Sequence, residues 1–338
     1  MIRTRRYARW AVGVPSPTAI RVATVVALAL VASIAVRAQQ VPDTAFRPPV
    51  PHPAWATATG PRLCLDEGHF NFHTLASRFW VFGELARRDG YRVSGVRERF
   101  TSPLLSGCDL LVISNAQVSG HPWEEWGLPT PSAFTDAEIA AVRAWVESGG
   151  RLLLIADHMP LAGAALKLAA AFGAAFTDGF AYEKAAEGSV EAARGGGSAA
   201  PTLFRPLDGT LAPHPIIEGR DSTERVTQVR SFTGQAFRWD AAGVRPLLVL
   251  PADYVSLEPR IPWEFEPSTP QRAVGGWLQG ATRPFGSGRV ALFGEAAMFS
   301  AQIAGAERRP MGMNAPMAEQ NARFVLNVLH WLSGVIDH

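Results

Sequence analysis

The sequence predicts an α/β protein built on a doubly wound, mainly parallel sheet with helices on both faces. In the first half of the chain, apolar runs of the kind found in buried parallel strands alternate with segments whose apolar residues recur at helical spacing. Strand–helix–strand crossovers are right-handed, so this alternation distributes helices over both faces of the sheet. The chain has 338 residues and is 47% hydrophobic, which is enough for a buried core.

The elements follow one another in a regular order. Strands are predicted at 62–66, 91–93, 109–113, 151–156, 225–237, 247–250, 273–283 and 289–293, with a turn at 285–288. Helices are predicted at 74–88, 135–148, 161–172 and 316–332. The second of these helices has a clear start, because Thr135 is followed three residues later by Glu138, the spacing of a capping box.

The first 38 residues have the order of a secretory signal peptide. Several arginines precede an uncharged apolar run at 22–36, and the small residue Ala38 follows. The run is shorter than the roughly 20 residues that a membrane-spanning helix needs. We therefore expect a periplasmic or secreted protein, and membrane contact only if this segment remains uncleaved as an anchor.

The rest of the chain reads as one domain with two irregular segments. The Pro-rich stretch 39–60 predicts an extended linker, and the Gly/Ala-rich stretch at about 184–200 predicts a flexible surface insertion. The domain itself is expected to span 61–334. Without the six arginines of residues 1–38, the formal net charge moves from +2 to −4. No basic run with interleaved aromatic residues remains, so nothing indicates nucleic-acid binding.

The two cysteines have two interpretations. Cys64 and Cys108 lie in or beside predicted strands of one sheet, so a disulfide is conceivable in an oxidising compartment. The favoured interpretation is a pair of buried thiols, since free cysteine packs as a small apolar residue.

Polar side chains are concentrated just after the carboxyl ends of three predicted strands, where open α/β sheets bind their ligands. The candidate catalytic residues are His69, Asp157, His158 and Glu295. The candidate ligand-binding residues are Asn71, Gln235, Asn314 and Asn321. The candidate metal ligands are Asp66, His69 and His73. We expect these groups to meet at one edge of the sheet.

Two chemistries fit this set, and a structural role is the third interpretation. Imidazole and carboxylate groups are ligands of Zn²⁺ or a similar divalent ion, whose bound water could hydrolyse a substrate. The spacing His69-x-x-x-His73 nevertheless lacks the glutamate of a metalloprotease helix. Metal-free acid–base catalysis would use Glu295 or Asp157 to orient a histidine. In the structural interpretation, these carboxylates cap the helices that follow them, and His69 and His158 bond loop carbonyls.

Two aromatic residues and one absent motif bear on the ligand. Trp123 and Trp126 lie in a long Pro-containing loop, where they either form a wall for a sugar or other flat ligand or pin the loop. No G-x-G-x-x-G follows the first strand, which argues against a dinucleotide.

Several soft motifs occur in an order that resembles the class I glutamine amidotransferase-like superfamily, in particular its branches related to trehalose-utilisation and gliding-motility-type domains. They are the run from the first strand through Ala156, His214-Pro215-Ile216, the segment 286–295, and Asn321 with Phe324, Asn327 and Trp331-Leu332. The resemblance implies a flavodoxin-like sheet with its site at the carboxyl edge. It does not extend to glutamine hydrolysis, which needs a cysteine on a strand-to-helix elbow, because that position reads Asp157-His158-Met159-Pro160.

These observations lead to two functional hypotheses. In the first, an exported amidotransferase-like domain binds, and in a further step hydrolyses, a small polar ligand such as a carbohydrate. In the second, a non-catalytic cell-envelope interaction domain uses the same cleft to hold a partner. Clustering of the candidate side chains in an open pocket would favour the first hypothesis.

Overall fold

The computed structural model describes residues 40–184 and 202–337, so the predicted signal peptide and nearly all of the predicted insertion lie outside the described residues. The strands are β1 Gln40–Pro42, β2 Arg62–Asp66, β3 Arg92–Val96, β4 Leu110–Ser114, β5 Arg151–Ile155, β6 Ala175–Phe176, β7 Phe180–Glu183, β8 Thr202–Phe204, β9 Val229–Ser231, β10 Phe237–Arg238, β11 Arg245–Val249, β12 Tyr254–Leu257, β13 Gln271–Ala273, β14 Leu278–Phe285, β15 Gly288–Phe293, β16 Ala301–Ala304 and β17 Arg309–Gly312. The helices are α1 Trp80–Arg88, α2 Ser102–Ser106, α3 Asp136–Glu147, α4 Leu161–Ala171, α5 Pro215–Glu218 and α6 Asn321–Leu332, with 3₁₀ turns at Trp123–Glu125, Ser222–Glu224 and Ala297–Phe299.

The main sheet has a parallel half and an antiparallel half. Its order is β3-β2-β4-β5-β15-β14-β10-β6, with β11 also paired to β14. The first five strands are mutually parallel. If these five are counted in chain order, their spatial order is 2-1-3-4-5, which is the order of flavodoxin-like folds. The predicted fold class is confirmed.

Each face of the parallel half carries its own core because side chains alternate along a strand. On β2, Leu63 faces a core that contains Phe82 of α1 and Phe324 of α6. The next residue, Cys64, faces the opposite core, which contains Val142 of α3 and residues of α2 and α4. The helices α1 and α6 thus cover one face, and α2, α3 and α4 cover the other.

Cys64 and Cys108 form a disulfide whose Cα atoms are 5.8 Å apart, so the prediction of two free thiols is wrong. The physical reason is the strand order. Cys64 lies in β2, and Cys108 closely precedes β4, which pairs directly with β2. The pattern of apolar residues shows that both strands exist but not that they are neighbours.

The Pro-rich segment after residue 39 packs on the domain instead of acting as a free linker. Its first residues form β1, which pairs antiparallel with β16. Further along, the Trp55 ring packs edge-on against Tyr91, with ring centroids 4.7 Å apart. Turns and bends follow β1 within this segment, and hydrogen bonds and an aromatic contact attach it to the fold.

Several boundaries differ from the prediction. The helix predicted at 74–88 begins at Trp80, and the one predicted at 316–332 begins at Asn321. The strand predicted at 225–237 is divided into β9 and β10. Between them Gly234 has a φ of 105°, and a Cβ there would lie 2.3 Å from the Gly294 oxygen, so the chain needs glycine where it passes β15. Within the described residues, no helix is long and apolar enough to cross a membrane.

Candidate functional site

The carboxyl ends of β2, β4, β5 and β15 lie side by side, as the sequence predicts. Hydrogen bonds join the loops that follow these strands. The main-chain N–H of Asp157 donates to Asn115 Oδ1 over 2.9 Å, and the N–H of Gln235 donates to the Gly294 oxygen over 2.8 Å. The candidate side chains at this edge nevertheless form two separate groups, one closed around His69 and one beside His158.

His69 is enclosed by two carboxylates. Its Nδ1 lies 2.9 Å from Asp66 Oδ1, and its Nε2 lies 3.0 Å from Glu138 Oε1. The ring packs between Phe100 and Phe134, with ring centroids 4.7 Å away on each side. Both nitrogens are therefore occupied, and no face of the ring is open to a ligand.

Attraction between opposite charges stabilises the position of His69 between Asp66 and Glu138. Burial opposes a charge on His69, but the hydrogen bonds and charges of Asp66 and Glu138 outweigh burial and raise the pKa of His69. Burial also opposes the charge on Glu138, yet its bonds to Thr135 and His69 lower the pKa of Glu138 to about 2. We conclude that the structure holds His69 as an imidazolium between two carboxylates and leaves it no free nitrogen for the predicted catalytic role.

The structure does not bring together the predicted metal set of Asp66, His69 and His73. His69 packs on aromatic residues of the face covered by α3, whereas the His73 ring stacks on Phe79 of the opposite core, 4.6 Å away. His73 Nδ1 lies 3.0 Å from Ser114 Oγ, and burial, assisted by the charge of Arg78, lowers the pKa of His73 to about 3. No three His, Cys, Asp or Glu side chains of the described residues are arranged to hold a metal ion.

Three of the four predicted ligand-binding amides are committed to internal hydrogen bonds. Asn71 bonds Asp66, the His69 N–H and the Ser114 oxygen. Asn321 bonds both the N–H and the oxygen of Arg230, at 3.0 and 2.8 Å. Asn71 ties together the loops after β2 and β4, Asn321 ties α6 to β9, and each polar side-chain atom of the two residues is already hydrogen-bonded.

The other two amides differ from each other. Gln235 is fully buried and accepts the Thr177 N–H at 3.2 Å. Asn314 donates to Asp43 at 2.9 Å, and its Oδ1 has no partner. Of the four predicted amides, only Asn314 therefore keeps an unused polar atom.

Asp157 and Glu295 form a pair of neighbouring carboxyl groups. Glu295 is buried, and its two oxygens accept the N–H groups of Ala297 at 2.7 Å and Met298 at 2.9 Å. Burial raises the pKa of Glu295 well above its usual range, and the nearby charge of Asp157 raises it further. Asp157 itself is partly exposed. A buried carboxyl beside a more exposed one is an arrangement that separates acid and base roles.

His158 is the predicted catalytic histidine that keeps a free nitrogen. Its Nδ1 donates to the Met159 oxygen over 2.7 Å, because a carbonyl can only accept. In the neutral imidazole this leaves Nε2 as an acceptor, and Nε2 makes no hydrogen bond to the described residues. The ring is held rigidly, stacked on Phe180 at 4.5 Å and edge-on to Trp263 at 4.5 Å.

A cavity of about 320 Å³ lies beside this aromatic group. Its lining includes Trp123, Trp126, Thr130, Met159, Pro160 and Arg260. The Trp123 ring is 6.2 Å from the His158 ring, and its Nε1 donates to Gln117 Oε1 over 2.7 Å. Both indoles flagged in the sequence thus line an open pocket next to the unpaired histidine.

Asn115 was missed by the sequence reasoning. It directly follows β4, has a φ of 48°, and is buried with Nδ2 unpartnered, while its Oδ1 holds the Asp157 N–H. Asparagine is among the few residues other than glycine that tolerate this left-handed backbone. The rule that directed attention to the ends of β2, β5 and β15 applies equally to the end of β4, and would have found it.

Comparisons with known proteins bear on the fold. No protein-family model matches the sequence, and no curated protein matches it. Among solved structures, the mmIFT52 N-terminal domain is similar, with 12% identity, a TM-score of 0.52, and coverage of 80% of this chain and 97% of that one. A cytoplasmic protein of Salmonella typhimurium LT2 has 14% identity, a TM-score of 0.46, and coverage of 80% and 99%. A ThuA-like protein from Bacteroides uniformis has 11% identity, a TM-score of 0.44, and coverage of 84% and 95%. Only the first TM-score exceeds 0.5, and at 12% identity it shows a shared α/β fold alone.

Proposed function

We propose that this protein binds a small polar ligand of the carbohydrate class in the 320 Å³ cavity beside His158. The observation that carries the proposal is the state of His158. Its ring is fixed by Phe180, Trp263 and a hydrogen bond, while Nε2 remains unpaired next to the cavity. His158 does not line the cavity itself, but its chain neighbour Met159 does, and a rigid acceptor at the margin of a pocket is the kind of polar group that orients a ligand.

The lining of the cavity supports the ligand class. Two indole rings, Trp123 and Trp126, supply flat apolar surface, and Thr130 and Arg260 supply polar groups. A sugar ring has apolar C–H faces and hydroxyl groups at its edge, so it matches a wall of this composition. Small-molecule sites combine such apolar surface with a few placed polar groups.

We further propose that the bound ligand is hydrolysed by acid–base chemistry. His158 Nε2 has the geometry of a general base that takes a proton from water. Asp157 precedes it, and the raised pKa of Glu295 brings that carboxyl towards the range in which it can donate a proton. No metal is needed for this scheme.

A second candidate function is a non-catalytic interaction domain of the cell envelope. It is favoured because groups that were predicted to be catalytic already form hydrogen bonds within the chain. Both nitrogens of His69 and both carboxylate oxygens of Glu295 are already hydrogen-bonded within the chain. In this alternative the cavity holds a glycan or peptide of a partner, and no bond is broken.

The proposal includes export. The predicted signal peptide supports it, and so does the disulfide between Cys64 and Cys108, because such bonds form and persist in oxidising compartments. Export would place the cavity where envelope or extracellular saccharides are available.

The binding proposal is tested with tryptophan fluorescence and calorimetry on the protein without residues 1–38, titrated with neutral mono- and disaccharides. We expect saturable binding of at least one saccharide, weakened tenfold or more in Trp123→Ala and in His158→Ala. The control is Trp277→Ala, which removes a half-exposed indole from another cavity. Absence of saturable binding to any saccharide, or equal loss in the control, would contradict the proposal.

The two candidate functions are separated by product formation. Asp157→Asn should retain saccharide affinity but lose the release of new reducing ends, if hydrolysis takes place. A wild-type protein that binds saccharide and releases no product over days would favour the interaction domain.

A further inference from the structure

Arg78 is a half-buried cation without a countercharge. It lies two residues before α1, and its guanidinium stacks on the Phe72 ring at 3.7 Å. Nη1 donates to the Phe72 oxygen over 3.1 Å, while Nε is buried and has no hydrogen-bond partner. No carboxylate of the described residues forms an ion pair with it, and the first turn of α1 contains no acidic residue.

Holding a half-buried cation without a countercharge costs free energy in the ligand-free protein. Removing a cation from water is unfavourable unless an anion or several hydrogen bonds replace the water. Burial accordingly lowers the pKa of Arg78, and the uncompensated charge helps to lower the pKa of the neighbouring His73. Other arginines of the same sheet edge are paired: Arg97 contacts Glu67, and Arg99 contacts Glu138.

Arg78 is linked to the cavity through one aromatic ring. The Phe72 ring in turn lies 5.9 Å from the Trp123 ring, centroid to centroid, and Trp123 lines the cavity. The Phe72 N–H donates to the oxygen of Asn115, whose Nδ2 is the second buried donor without a partner in this region. Arg78 Nε and Asn115 Nδ2 are thus two unsatisfied donors on residues that contact Phe72, and the donor on Arg78 is charged.

We propose that Arg78 binds an acidic group on the ligand, so that the ligand is a small polar molecule carrying a carboxylate, sulfate or phosphate. This inference rests on the proposed function, because it takes the cavity beside His158 as the ligand site. The guanidinium fork offers parallel N–H donors to two oxygens of one anion, which a neutral hydroxyl cannot match. The anion would supply the countercharge that the chain itself lacks.

The inference is tested by thermal melting with acetate, sulfate and phosphate, each compared with chloride at equal ionic strength. A saturable rise in Tm is expected for the wild-type protein, and the dissociation constant follows from its concentration dependence. In Arg78→Gln we expect that constant to rise about 10- to 100-fold, as for loss of a hydrogen bond to a charged group. The dissociation constant of Arg78→Lys should lie between those of the wild-type protein and Arg78→Gln, because lysine keeps the charge but lacks the parallel N–H donors of the guanidinium.

The matched control is Arg283→Gln. Arg283 also stacks on a phenylalanine, Phe285, and donates to main-chain oxygens of Ala242 and Phe172 without an ion pair, but it lies far from the cavity on β14. We expect the control to keep the full anion response. The ligand-free Arg78→Gln protein should melt no lower than wild type, since an unpaired buried cation is removed.

The outcomes separate the inference from the proposed function. No saturable shift with any of the three anions, an unchanged response in Arg78→Gln, or an equal loss in Arg283→Gln overturns the inference. If neutral saccharides still bind in that case, the proposed function stands without it. If anions bind at Arg78 but saccharides do not bind at all, the carbohydrate proposal alone fails. Comparison of the three anions identifies which acidic group is preferred.

Discussion

Replacement of Glu138 by glutamine should destabilise the protein, because it removes one of the two carboxylates that enclose His69. A pKa of about 2, compared with the ordinary 4.5, corresponds to a stabilisation of up to roughly 3 kcal/mol at neutral pH. Solvent near the exposed Arg99, which also contacts Glu138, screens part of this interaction. We therefore expect Glu138→Gln to lower the free energy of unfolding by about 2 kcal/mol, measured by urea denaturation.

The pH dependence follows from the direction of each shift. The contribution of Glu138 is complete above pH 4.5 and is lost as the pH falls towards 2. The pKa of His69 is raised above 6.5, so its contribution is complete below pH 6.5 and is lost as the pH rises through its folded value. The difference between wild type and variant should therefore be largest between about pH 4.5 and 6.5.

A control variant on the same helix makes the measurement specific. Glu147 is 54% exposed, and its nearest cation, Arg143, is at 3.5 Å, so Glu147→Gln should change stability by less than about 0.5 kcal/mol. If Glu138→Gln were no more destabilising than this control, or if its effect were the same at pH 3.5 as at pH 6, His69 would not be held as an imidazolium by two carboxylates.

Two further changes test the packing of the fold. The double variant Cys64→Ala/Cys108→Ala opens a 44-residue loop and should lose about 4 kcal/mol of unfolding free energy in urea, whereas a loss below 1 kcal/mol would mean that the bond is not formed in the isolated protein. Asn321→Ala removes two buried hydrogen bonds to the main chain of Arg230 and should cost about 2 to 3 kcal/mol by thermal melting, with unchanged stability indicating that β9 is held by other contacts.

Local signals in the sequence were sufficient for much of the fold. Strand β2 was predicted at its observed bounds, 62–66, because three apolar residues, 63–65, are followed at once by polar ones. The start of α3 was predicted from Thr135 and Glu138, and both hydrogen bonds of the capping box are present. These features depend on residues only a few positions apart, so one sequence contains them in full.

Contacts between distant segments could not be predicted in the same way. Glu138 was identified as a capping residue, yet its second partner, His69, lies 69 positions earlier. The sequence shows two histidines four residues apart at a strand end, but the turn between them includes Phe70 with a φ of 48°, and the two imidazoles go to opposite faces of the sheet. Only the strand order and the path of this loop decide which polar groups meet.

The path of that loop also supports placing the proposed site beside His158. In a 2-1-3-4-5 sheet the ligand crevice is expected between the first and third strands, here β2 and β4. Asn71 reaches across this crevice to the Ser114 oxygen, and the His69 oxygen accepts the N–H of Gln117, so these polar atoms of the two loops satisfy one another. These bonds close the crevice between residues 69–71 and 114–117, whereas Arg78, further along the loop that follows β2, keeps an unpartnered Nε.

One strand further along the sheet, some polar atoms are left without hydrogen-bond partners. Between β4 and β5, Asn115 Oδ1 holds the Asp157 N–H, but in the part of the chain that the structure describes Asn115 Nδ2 has no partner and His158 Nε2 makes no hydrogen bond. Unsatisfied polar groups that remain beside a cavity cost free energy in the empty protein, and a bound ligand recovers it. A flavodoxin-like fold whose usual crevice is closed by its own side chains can therefore still bind a ligand, provided that the neighbouring strand ends keep donors and acceptors unpaired.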